Sequence, residues 1–385
     1  MKRPRIGIDC QKILTPDGGG AGVEHYVYHL VLNIAKAERD FDLVLFLHPS
    51  LQDSPTAKTL AELGQVEVVF YPLEVIERQS WWPYTKYKRL SQFLASHQLD
   101  LFHGPANVTP LYYQGRTVIT THDLIIFEHP EWFPGGLADW FWRKVLIPKA
   151  LRHASRHIAV SEFTKQQLVS IFDVKADLID VVFEGITTGL DASPNSQILD
   201  KFKIKTPYLL YVGTVEPRKN LVRLIEAFSR IAKDHPELQL VLAGKYGWKY
   251  EPIKAAAKNS DAASRIIFTD YIDEPDKHAL YQKALAFTFP SLAEGFGLPP
   301  LDAMLHSVPV LTSDITSLPE VVGDAALLVK PTSVDSLTNG LRRMVEEKDL
   351  REKLITRGRE QVKKFSWDKA ARETMAVYRR ALSND

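Results

Sequence analysis

The sequence predicts an α/β protein of two domains, each built on a doubly wound parallel β-sheet of the Rossmann-like kind. Three observations support this prediction. The chain of 385 residues is long for one domain and typical of two. Short apolar segments alternate with longer amphipathic segments, which is typical of buried parallel strands joined by helices. A polar stretch that begins at Ile186 divides these segments into two sets, and two sets indicate two sheets.

The first set predicts a domain over residues 1–185, because its apolar runs have strand length and amphipathic helices separate most of them. The predicted strands are Arg5–Asp9, Leu43–His48, Val66–Tyr71, Leu99–His103, Thr117–Thr121, His157–Val160 and Ile179–Phe183. The predicted helices are Val23–Lys36, Tyr87–Gln98, Trp140–His153 and Ser161–Ile171.

The polar stretch 186–206 is a predicted linker, because it contains turn-forming residues such as Gly189, Pro194 and Asn195. A second domain is predicted over 207–365, followed by an amphipathic helix over 366–385 with Ser366 as its N-cap. The predicted strands of the second domain are Tyr208–Gly213, Gln239–Ala243, Ile266–Thr269, Ala286–Pro290, Val310–Ser313 and Ala326–Lys330.

Composition excludes several classes of protein. A net charge of +1 gives no general attraction to nucleic acid. The single cysteine, Cys10, excludes disulfides within the chain and cysteine-rich metal sites. No apolar run approaches the ~20 residues that span a bilayer, and the apolar stretch near the start stops at Asp9, too early for a signal peptide. We therefore expect a cytoplasmic protein.

The segment from Pro290 to Met304 is the most informative part of the sequence. It follows an apolar run, turns through Gly295 and Gly297, and has two prolines where a helix should begin. Backbone N–H groups at such a turn bind anions. Glu294 and Asp302, eight residues apart, would accept hydrogen bonds from hydroxyl groups instead. Amides for phosphate beside carboxylates for hydroxyls suit a nucleotide sugar.

A basic loop lies at a second strand end. Arg218 and Lys219 follow the predicted strand that ends at Gly213 and precede a helix. Ligands bind at the carboxyl edge of a parallel sheet, and an arginine fork with a mobile lysine suits a diphosphate. The alternative is a solvated basic turn. Gly244 ends a third strand at the same edge and permits close approach of the backbone.

The segment around Glu294 resembles the E-x7-E signature of retaining family 4 glycosyltransferases of the GT-B fold. This sequence has Asp302 where that family usually has Glu, so the charge is kept on a shorter side chain. The resemblance implies two Rossmann-like domains facing a cleft. It also implies that Glu294 binds the donor sugar, that amides near Phe296, Gly297 and Leu298 meet the phosphates, and that Asp302 meets the ribose.

The same resemblance assigns further donor contacts. Tyr271 and Ile272 match the place where the family binds the base, although core packing explains Tyr271 equally well. Residues 17–22 form a glycine-rich loop after the first strand, and Gly22 is the candidate amide that approaches the donor phosphate from the first domain. A merely flexible turn is the alternative for this loop.

The first domain supplies candidate residues at two strand ends. His122 follows the strand Thr117–Thr121 and resembles the family histidine that contacts the donor sugar; a structural histidine is the alternative. Asp123 is expected to orient this loop. His103 and Asn107, at the end of the preceding strand, are candidates for the acceptor pocket together with Asp123.

One stretch points to a membrane or a lipid. Arg78–Arg89 interleaves aromatic and basic residues, so it either contacts a membrane surface or a lipid-linked acceptor, or forms a solvated helix start. A membrane contact would place the protein on the inner face of the membrane.

The sequence therefore predicts a retaining glycosyltransferase that acts without a metal or other cofactor on a glycan or lipid-linked acceptor. The only D-x-D motif, Asp40–Asp42, precedes a strand instead of following one. The catalytic candidates are His122, Glu294, Arg218 and Lys219. Resemblance to bacterial mannosyltransferases of cell-surface polysaccharide assembly implies GDP-mannose as donor. The alternatives are a UDP- or dTDP-sugar donor, a UDP-sugar epimerase, a pyridoxal-phosphate phosphorylase and a non-catalytic nucleotide-sugar binding module.

Overall fold

The structure is a computed structural model that describes residues 3–13, 22–72, 83–110, 112–136, 140–187 and 197–383. Residues 17–21 of the glycine-rich loop, residues 78–82 of the basic aromatic stretch and residues 188–196 of the predicted linker lie outside these ranges. The chain forms two compact units. The first comprises Met1–Glu128, Gly135–Gly185 and Ser366–Asp385, and the second comprises His129–Pro134 and Ile186–Phe365.

The first unit is built on a seven-stranded sheet in which all neighbouring strands are parallel. Its order is β3-β2-β1-β4-β5-β6-β7, so the direction of winding reverses between β1 and β4. The strands are β1 Arg5–Cys10, β2 Asp42–Leu47, β3 Val66–Phe70, β4 Leu101–Gly104, β5 Thr117–Thr121, β6 Arg156–Ala159 and β7 Ile179–Val181.

Helices cover both faces of this sheet, since the strands are apolar on both sides. The helices of residues 22–172 are α1 Gly22–Lys36, α2 Pro55–Glu62, α3 Pro83–Ser96, α4 Ile125–Glu128, α5 Ile147–His153 and α6 Glu162–Phe172. One apolar cluster joins α1 to the face that carries Ile6 and Ile8. A second cluster joins α3 to the opposite face through Leu90, Leu94 and Phe46.

The second unit is built on a six-stranded parallel sheet of order β10-β9-β8-β11-β12-β13, whose winding reverses between β8 and β11. Its strands are β8 Tyr208–Val212, β9 Gln239–Ala243, β10 Ile266–Asp270, β11 Ala286–Phe289, β12 Val310–Ser313 and β13 Ala326–Val329. Its helices are α7 Gln197–Lys201, α8 Leu221–Ile231, α9 Glu251–Lys258, α10 Glu274–Lys283, α11 Leu298–Leu305, α12 Leu318–Val322, α13 Val334–Glu346 and α14 Lys348–Gln361. The predicted fold class, two doubly wound parallel-sheet domains, is confirmed.

Local details differ from the sequence prediction. The predicted helix Trp140–His153 is divided into a π-helical turn, Trp142–Leu146, and α5. Pro148 accounts for this division, because proline cannot donate to the carbonyl four residues earlier. The short segment His129–Pro134 belongs to the second unit, where Trp248 Nε1 donates to the Trp132 carbonyl at 2.5 Å.

The last helix, α15 Trp367–Ser383, packs on the first unit. Its buried side chains Met375 and Tyr378 lie in the same apolar cluster as Ile6 and Ile8. The Tyr378 hydroxyl is 2.7 Å from Nδ1 of His103 on β4, inside this cluster. The helix therefore completes a core of the first unit although it lies at the end of the chain.

We expect Tyr378→Phe to destabilise the first unit. The change leaves one nitrogen of the buried His103 without its partner, which costs about 1–3 kcal/mol, so thermal unfolding should shift down by several degrees. Tyr28→Phe, at a half-buried position on α1, is the matched control and should unfold close to the unmodified protein. Equal unfolding temperatures for the two variants would contradict the role assigned to this hydrogen bond.

Candidate active site

The candidate site of the second unit lies at the carboxyl ends of β8 and β11, the two strands between which winding reverses. Ligands of doubly wound sheets bind at this position, because the loops leave the sheet in opposite directions there. Arg218 and Lys219 follow β8, and Glu294 follows β11. The fold thus brings Glu294 next to Arg218 and Lys219, which lie 76 and 75 positions earlier in the sequence.

Glu294 binds both cations directly. Its Oε2 accepts from Arg218 Nη1 at 2.6 Å, and its Oε1 accepts from Lys219 Nζ at 2.5 Å. Glu294 and Lys219 are only 7% and 8% exposed. The alternative interpretation of a solvated basic turn is therefore wrong, since both cations are engaged in a mostly buried cluster.

Glu216, which the sequence prediction missed, completes the cluster. Its Oε1 lies 2.9 Å from Nη2 of Arg218, and the residue is 2% exposed. Two acids thus balance two bases in a buried place where an uncompensated charge would cost several kcal/mol. The only signal in the sequence was its position two residues before Arg218, which a surface turn would share.

The surrounding charges perturb Glu294. Burial raises the pKa of Glu294. The charges of Arg218 and Lys219 and the hydrogen bond from Lys219 lower it by more, so the net pKa is about 2. Burial and the neighbouring Arg218 guanidinium lower the pKa of Lys219. Glu294 is consequently ionised at neutral pH and accepts hydrogen bonds only.

The side chain of Ser317 stabilises the turn after Glu294. The Ser317 Oγ lies 2.8 Å from the carbonyl oxygens of both Glu294 and Phe296, and these two acceptors share its one proton. Gly297 has φ of 107°, which favours glycine, and α11 begins at Leu298. Because residues 299 and 300 of the first turn are prolines, they supply no N–H groups to an anion. The predicted contact of the amides near Phe296, Gly297 and Leu298 with the phosphates stays a prediction.

Asp302 lies on α11 beside a lysine. Its Oδ2 is 3.6 Å from Nζ of Lys277 on α10, which also binds Glu274 at 2.8 Å. Burial lowers the pKa of Lys277, but the charges of Asp302 and Glu274 raise it more. Asp302 is partly exposed, and Lys277 orients its carboxylate. The sequence prediction missed Lys277, because nothing in the sequence links this residue to α11.

Gly213 and Gly244 bring two strand ends into close contact. A Cβ on Gly244 would lie 2.1 Å from the Gly213 carbonyl oxygen. Gly244 also has φ of 139°, and Gly213 has φ of 152°. The backbone conformation alone therefore requires glycine at both positions, whether or not a ligand approaches them.

Tyr271 and Ile272 follow β10 at the same edge of this sheet. Tyr271 is 54% exposed, so the alternative of aromatic core packing is wrong. Ile272 is half-buried. An exposed ring next to an aliphatic side chain is a surface on which a planar base could stack.

His122 lies at the end of β5 in the first unit, largely buried. Its Nε2 donates to the Pro105 carbonyl at 2.8 Å, and its Nδ1 is 3.0 Å from Glu184 Oε1. Burial lowers the pKa of His122, but the hydrogen bond and charge of Glu184 raise it more, so the net pKa is above its ordinary value. Both ring nitrogens already have partners, so the predicted contact with the donor sugar has no N–H available in this geometry.

The other candidates of the first unit have mainly structural contacts. Asn107, at φ of 65°, accepts from the His122 amide at 2.8 Å. Asp123 accepts from the amide of Ile125 at 3.3 Å, which agrees with its expected role in orienting the loop. Glu184, which the sequence prediction missed, links this loop to the end of the first unit.

His103 does not line an acceptor pocket, contrary to prediction. It is fully buried, with Nε2 2.8 Å from Thr120 Oγ1 and Nδ1 bound to α15. Burial lowers its pKa to about 3, so the ring is neutral. The prediction failed because side chains alternate across a strand, and position 103 points into the core.

Gly22 begins α1 and is exposed, and a Cβ there would meet nothing within 4 Å. Steric constraints therefore do not require glycine at this position. Among the described residues, no group of three or more His, Cys, Asp or Glu side chains is arranged to hold a metal ion. None of the helices in the described ranges is long and apolar enough to cross a membrane.

Two family models match the chain. The model described as glycosyl transferases group 1 matches residues 196–361, and the model described as glycosyltransferase family 4 matches residues 20–190. The first match spans the six-stranded sheet and contains the Glu294 cluster. The second match spans the seven-stranded sheet except β1.

Individual proteins are similar over most of the chain. The O-antigen chain mannosyltransferase B of Escherichia coli is 30% identical over 380 residues, covering 93% of this chain and 96% of that protein. The serotype-specific mannosyltransferase WbdA of E. coli is 29% identical over 283 residues, covering 70% of this chain and 34% of that protein. The solved structure of sucrose-phosphate synthase from Thermosynechococcus elongatus has a TM-score of 0.76 at 20% identity, with both chains fully covered.

We expect Gly244→Ala to disrupt the candidate site of the second unit. The new Cβ would collide with the Gly213 carbonyl oxygen and strain a residue at positive φ, which should cost a few kcal/mol of stability. Gly22→Ala is the matched control, because its Cβ enters open space. Thermal unfolding should show a clear loss for Gly244→Ala and none for Gly22→Ala, and a neutral Gly244→Ala would contradict the close approach.

Proposed function

The chain belongs to the family 4 glycosyltransferases of the GT-B fold, and from this premise we propose that it transfers mannose from GDP-mannose to a glycan or lipid-linked acceptor with retention at the anomeric carbon. The observation that carries the proposal is the buried cluster in which Glu294 binds Arg218 and Lys219 at the switch point of the second sheet. The nucleotide end of the donor would bind to this unit.

The chemistry explains why two cations belong at this place. Cleavage of the bond between the sugar and the diphosphate develops negative charge on the leaving group, and fixed donors in a buried site stabilise such charge well. Arg218 offers a planar fork, and Lys219 offers a point charge. We propose that these two side chains and the amides of residues 296–298 do this work without a metal ion or other cofactor.

Glu294 would have two roles. In the structure it neutralises and positions the cations, since both ion pairs with it are direct. When a donor binds, the diphosphate would compete for Arg218 and Lys219, and a sugar hydroxyl would donate to the carboxylate that they release. Asp302 would accept from the ribose hydroxyls in the same way. This exchange of partners would keep every buried charge compensated.

Attack would occur on the face of the sugar that the leaving group occupies, and a donor phosphate oxygen would take the acceptor proton. No protein nucleophile is then needed. His122 would act by positioning, because its ring binds Pro105 and Glu184 and its amide binds Asn107. A rigid loop of this kind preserves the alignment of reacting groups, on which rates depend strongly.

Mannose is the preferred sugar because the relative that matches over nearly the whole chain is a mannosyltransferase by name. Polysaccharide assembly likewise suggests a glycan or lipid-linked acceptor at the cytoplasmic face of a membrane. Contact of Arg78–Arg89 with that membrane stays a prediction. A UDP- or dTDP-sugar is the alternative donor, since the cluster recognises a diphosphate and selects no base.

Thermal stabilisation by nucleotides tests the donor. A ligand at about one hundred times its Kd stabilises the folded state by ~2.7 kcal/mol. We expect GDP and GDP-mannose to raise the unfolding temperature by several degrees without added metal, and to raise it more than UDP, dTDP and ADP compounds do. A shift with UDP or dTDP compounds alone would remove mannose from the proposal, and no shift with any nucleotide would contradict the donor site.

Mutation of the cluster tests its role in transfer. We expect Lys219→Met and Glu294→Gln each to lower sugar transfer by about two orders of magnitude or more, because each removes a group that contacts the reacting donor. Transfer is measured as release of nucleoside diphosphate that depends on acceptor.

The matched control is Lys233→Met. Lys233 is exposed and forms a surface salt bridge with Asp261 at 3.3 Å, so its loss should be nearly neutral. Because Glu294→Gln removes the acid that pairs with the buried Lys219, while Arg218 keeps Glu216, circular dichroism must show that the variant is folded. Folded variants with near-normal transfer would exclude the cluster as the active site.

A further inference from the structure

Both ring nitrogens of His122 face hydrogen-bond acceptors. Nε2 lies 2.8 Å from the Pro105 carbonyl oxygen, and Nδ1 lies 3.0 Å from Oε1 of the Glu184 carboxylate. A neutral imidazole has one N–H group and one lone pair, so its lone pair would face an acceptor at one of these two positions. Only a ring that is protonated at both nitrogens satisfies both contacts.

The proton between His122 and Glu184 belongs to the ring. An ordinary carboxyl group is more acidic than an imidazolium by about two pH units. Both residues are buried, and a charged group without a partner is strongly unfavourable in such a place. The two side chains therefore form a buried ion pair in which each charge compensates the other.

The other groups around the ring are compatible with this charge. Burial lowers the pKa of His122, but the hydrogen bond and charge of Glu184 raise it more, and the charge of Asp123 adds to this increase. Tyr26 of α1 meets the ring nearly perpendicularly, and burial raises the pKa of its phenol, so this group stays neutral. His103 of β4 is neutral as well, because burial lowers its pKa to about 3.

The last helix fixes the position of Glu184. The next residue, Gly185, lies against the start of α15, since a Cβ on Gly185 would be 2.3 Å from the backbone nitrogen of Trp367. The Trp367 ring also contacts Tyr26, at 5.9 Å between ring centroids, and Tyr26 contacts His122. Helix α15 thus supports both members of the ion pair.

We propose that Glu184 is a positioning residue that keeps His122 doubly protonated and thereby holds the loop 122–124 in place during sugar transfer. If Nδ1 lost its proton, a lone pair would face the carboxylate and the ring would turn away. The His122 amide binds the Asn107 side chain, and its carbonyl accepts from the Thr164 hydroxyl at 3.3 Å, so the loop would move with the ring. The effect on transfer rests on the proposed function, whereas the charge state of the ring does not.

NMR of 15N-labelled histidine measures the charge state and needs no substrate. The ring signals of His122 are those that disappear in His122→Asn. We expect both nitrogens to carry a proton at neutral pH in the unmodified protein, and the titration midpoint to fall by at least about one pH unit in Glu184→Gln. A singly protonated ring in the unmodified protein, or an unchanged midpoint in the variant, would overturn the inference.

Stability should depend on pH through the same group. A pKa that is raised in the folded state contributes stability that is complete below the unfolded value, roughly 6.5, and that is lost as pH rises through the folded value. The unfolding temperature of the unmodified protein should therefore fall more steeply above this pH than that of Glu184→Gln. Parallel curves for the two proteins would contradict the ion pair.

Transfer kinetics test the positioning role. In the unmodified protein, kcat should fall at least about threefold as His122 loses its proton, because alignment of the reacting groups is lost. In Glu184→Gln the amide can accept from a charged ring or donate to a neutral one, so this alkaline decline should disappear. A loss of kcat that is equal at every pH would show a merely structural role and overturn the proposal.

Glu131→Gln is the matched control. Oε1 of Glu131 lies 3.1 Å from Nδ1 of His129, so the pair has the same geometry, but both side chains are exposed. This change should leave the titration of His122 and the pH profile of kcat as they are in the unmodified protein. If it altered the profile as much as Glu184→Gln does, the role assigned to Glu184 would be excluded.

The two kinds of measurement separate this inference from the proposed function. If no sugar transfer is detected but His122 titrates as expected, the proposed function fails and the ion pair stands. If transfer is normal but His122 carries a single proton, the ion pair fails and the proposed function stands.

Discussion

The buried cluster of Glu216, Arg218, Lys219 and Glu294 is the interaction on which the rest of the second unit depends. Each charge needs the others, because removal of one partner would leave an ion in a place that excludes water. The four residues come from the loops after β8 and β11, so the cluster also determines how these loops leave the sheet. The two cations are thereby held in fixed positions, as the proposed binding of a diphosphate would need.

Backbone geometry supports the cluster from several sides. The contact between Gly213 and Gly244 sets the spacing of β8 and β9 at their carboxyl ends. Asn220 donates from one side-chain nitrogen to the carbonyls of Pro290 and Pro331, at 3.0 and 2.7 Å, which ties the basic loop to the ends of other strands. Preorganisation of this kind matters because a charged group that must move into place during reaction stabilises the transition state less.

The first unit also contains a buried ionisable side chain, His122, and both of its ring nitrogens have hydrogen-bond partners. His122 has a proton toward the Pro105 carbonyl and faces the Glu184 carboxylate with its other nitrogen, and Tyr26 contacts the ring edge at 4.6 Å between centroids. His103 belongs to the same internal network, because the Thr120 hydroxyl is within hydrogen-bond distance of both His103 and Tyr26.

The sequence by itself determined the fold class, the position of most strands along the chain and three of the residues that form the buried cluster of the second unit. Apolar periodicity and turn composition are local properties, and Arg218, Lys219 and Glu294 stand next to recognisable strand ends. Only the tertiary structure decided which polar groups are paired. Glu216 pairs with Arg218 two residues later, but a surface turn would have the same spacing. Glu184 and Lys277 have partners far away in the chain, His122 and Asp302, so no local pattern links them to the site. His103 was misassigned for the same reason: the face of a strand on which a side chain lies is set by packing against α15, which follows more than two hundred residues later.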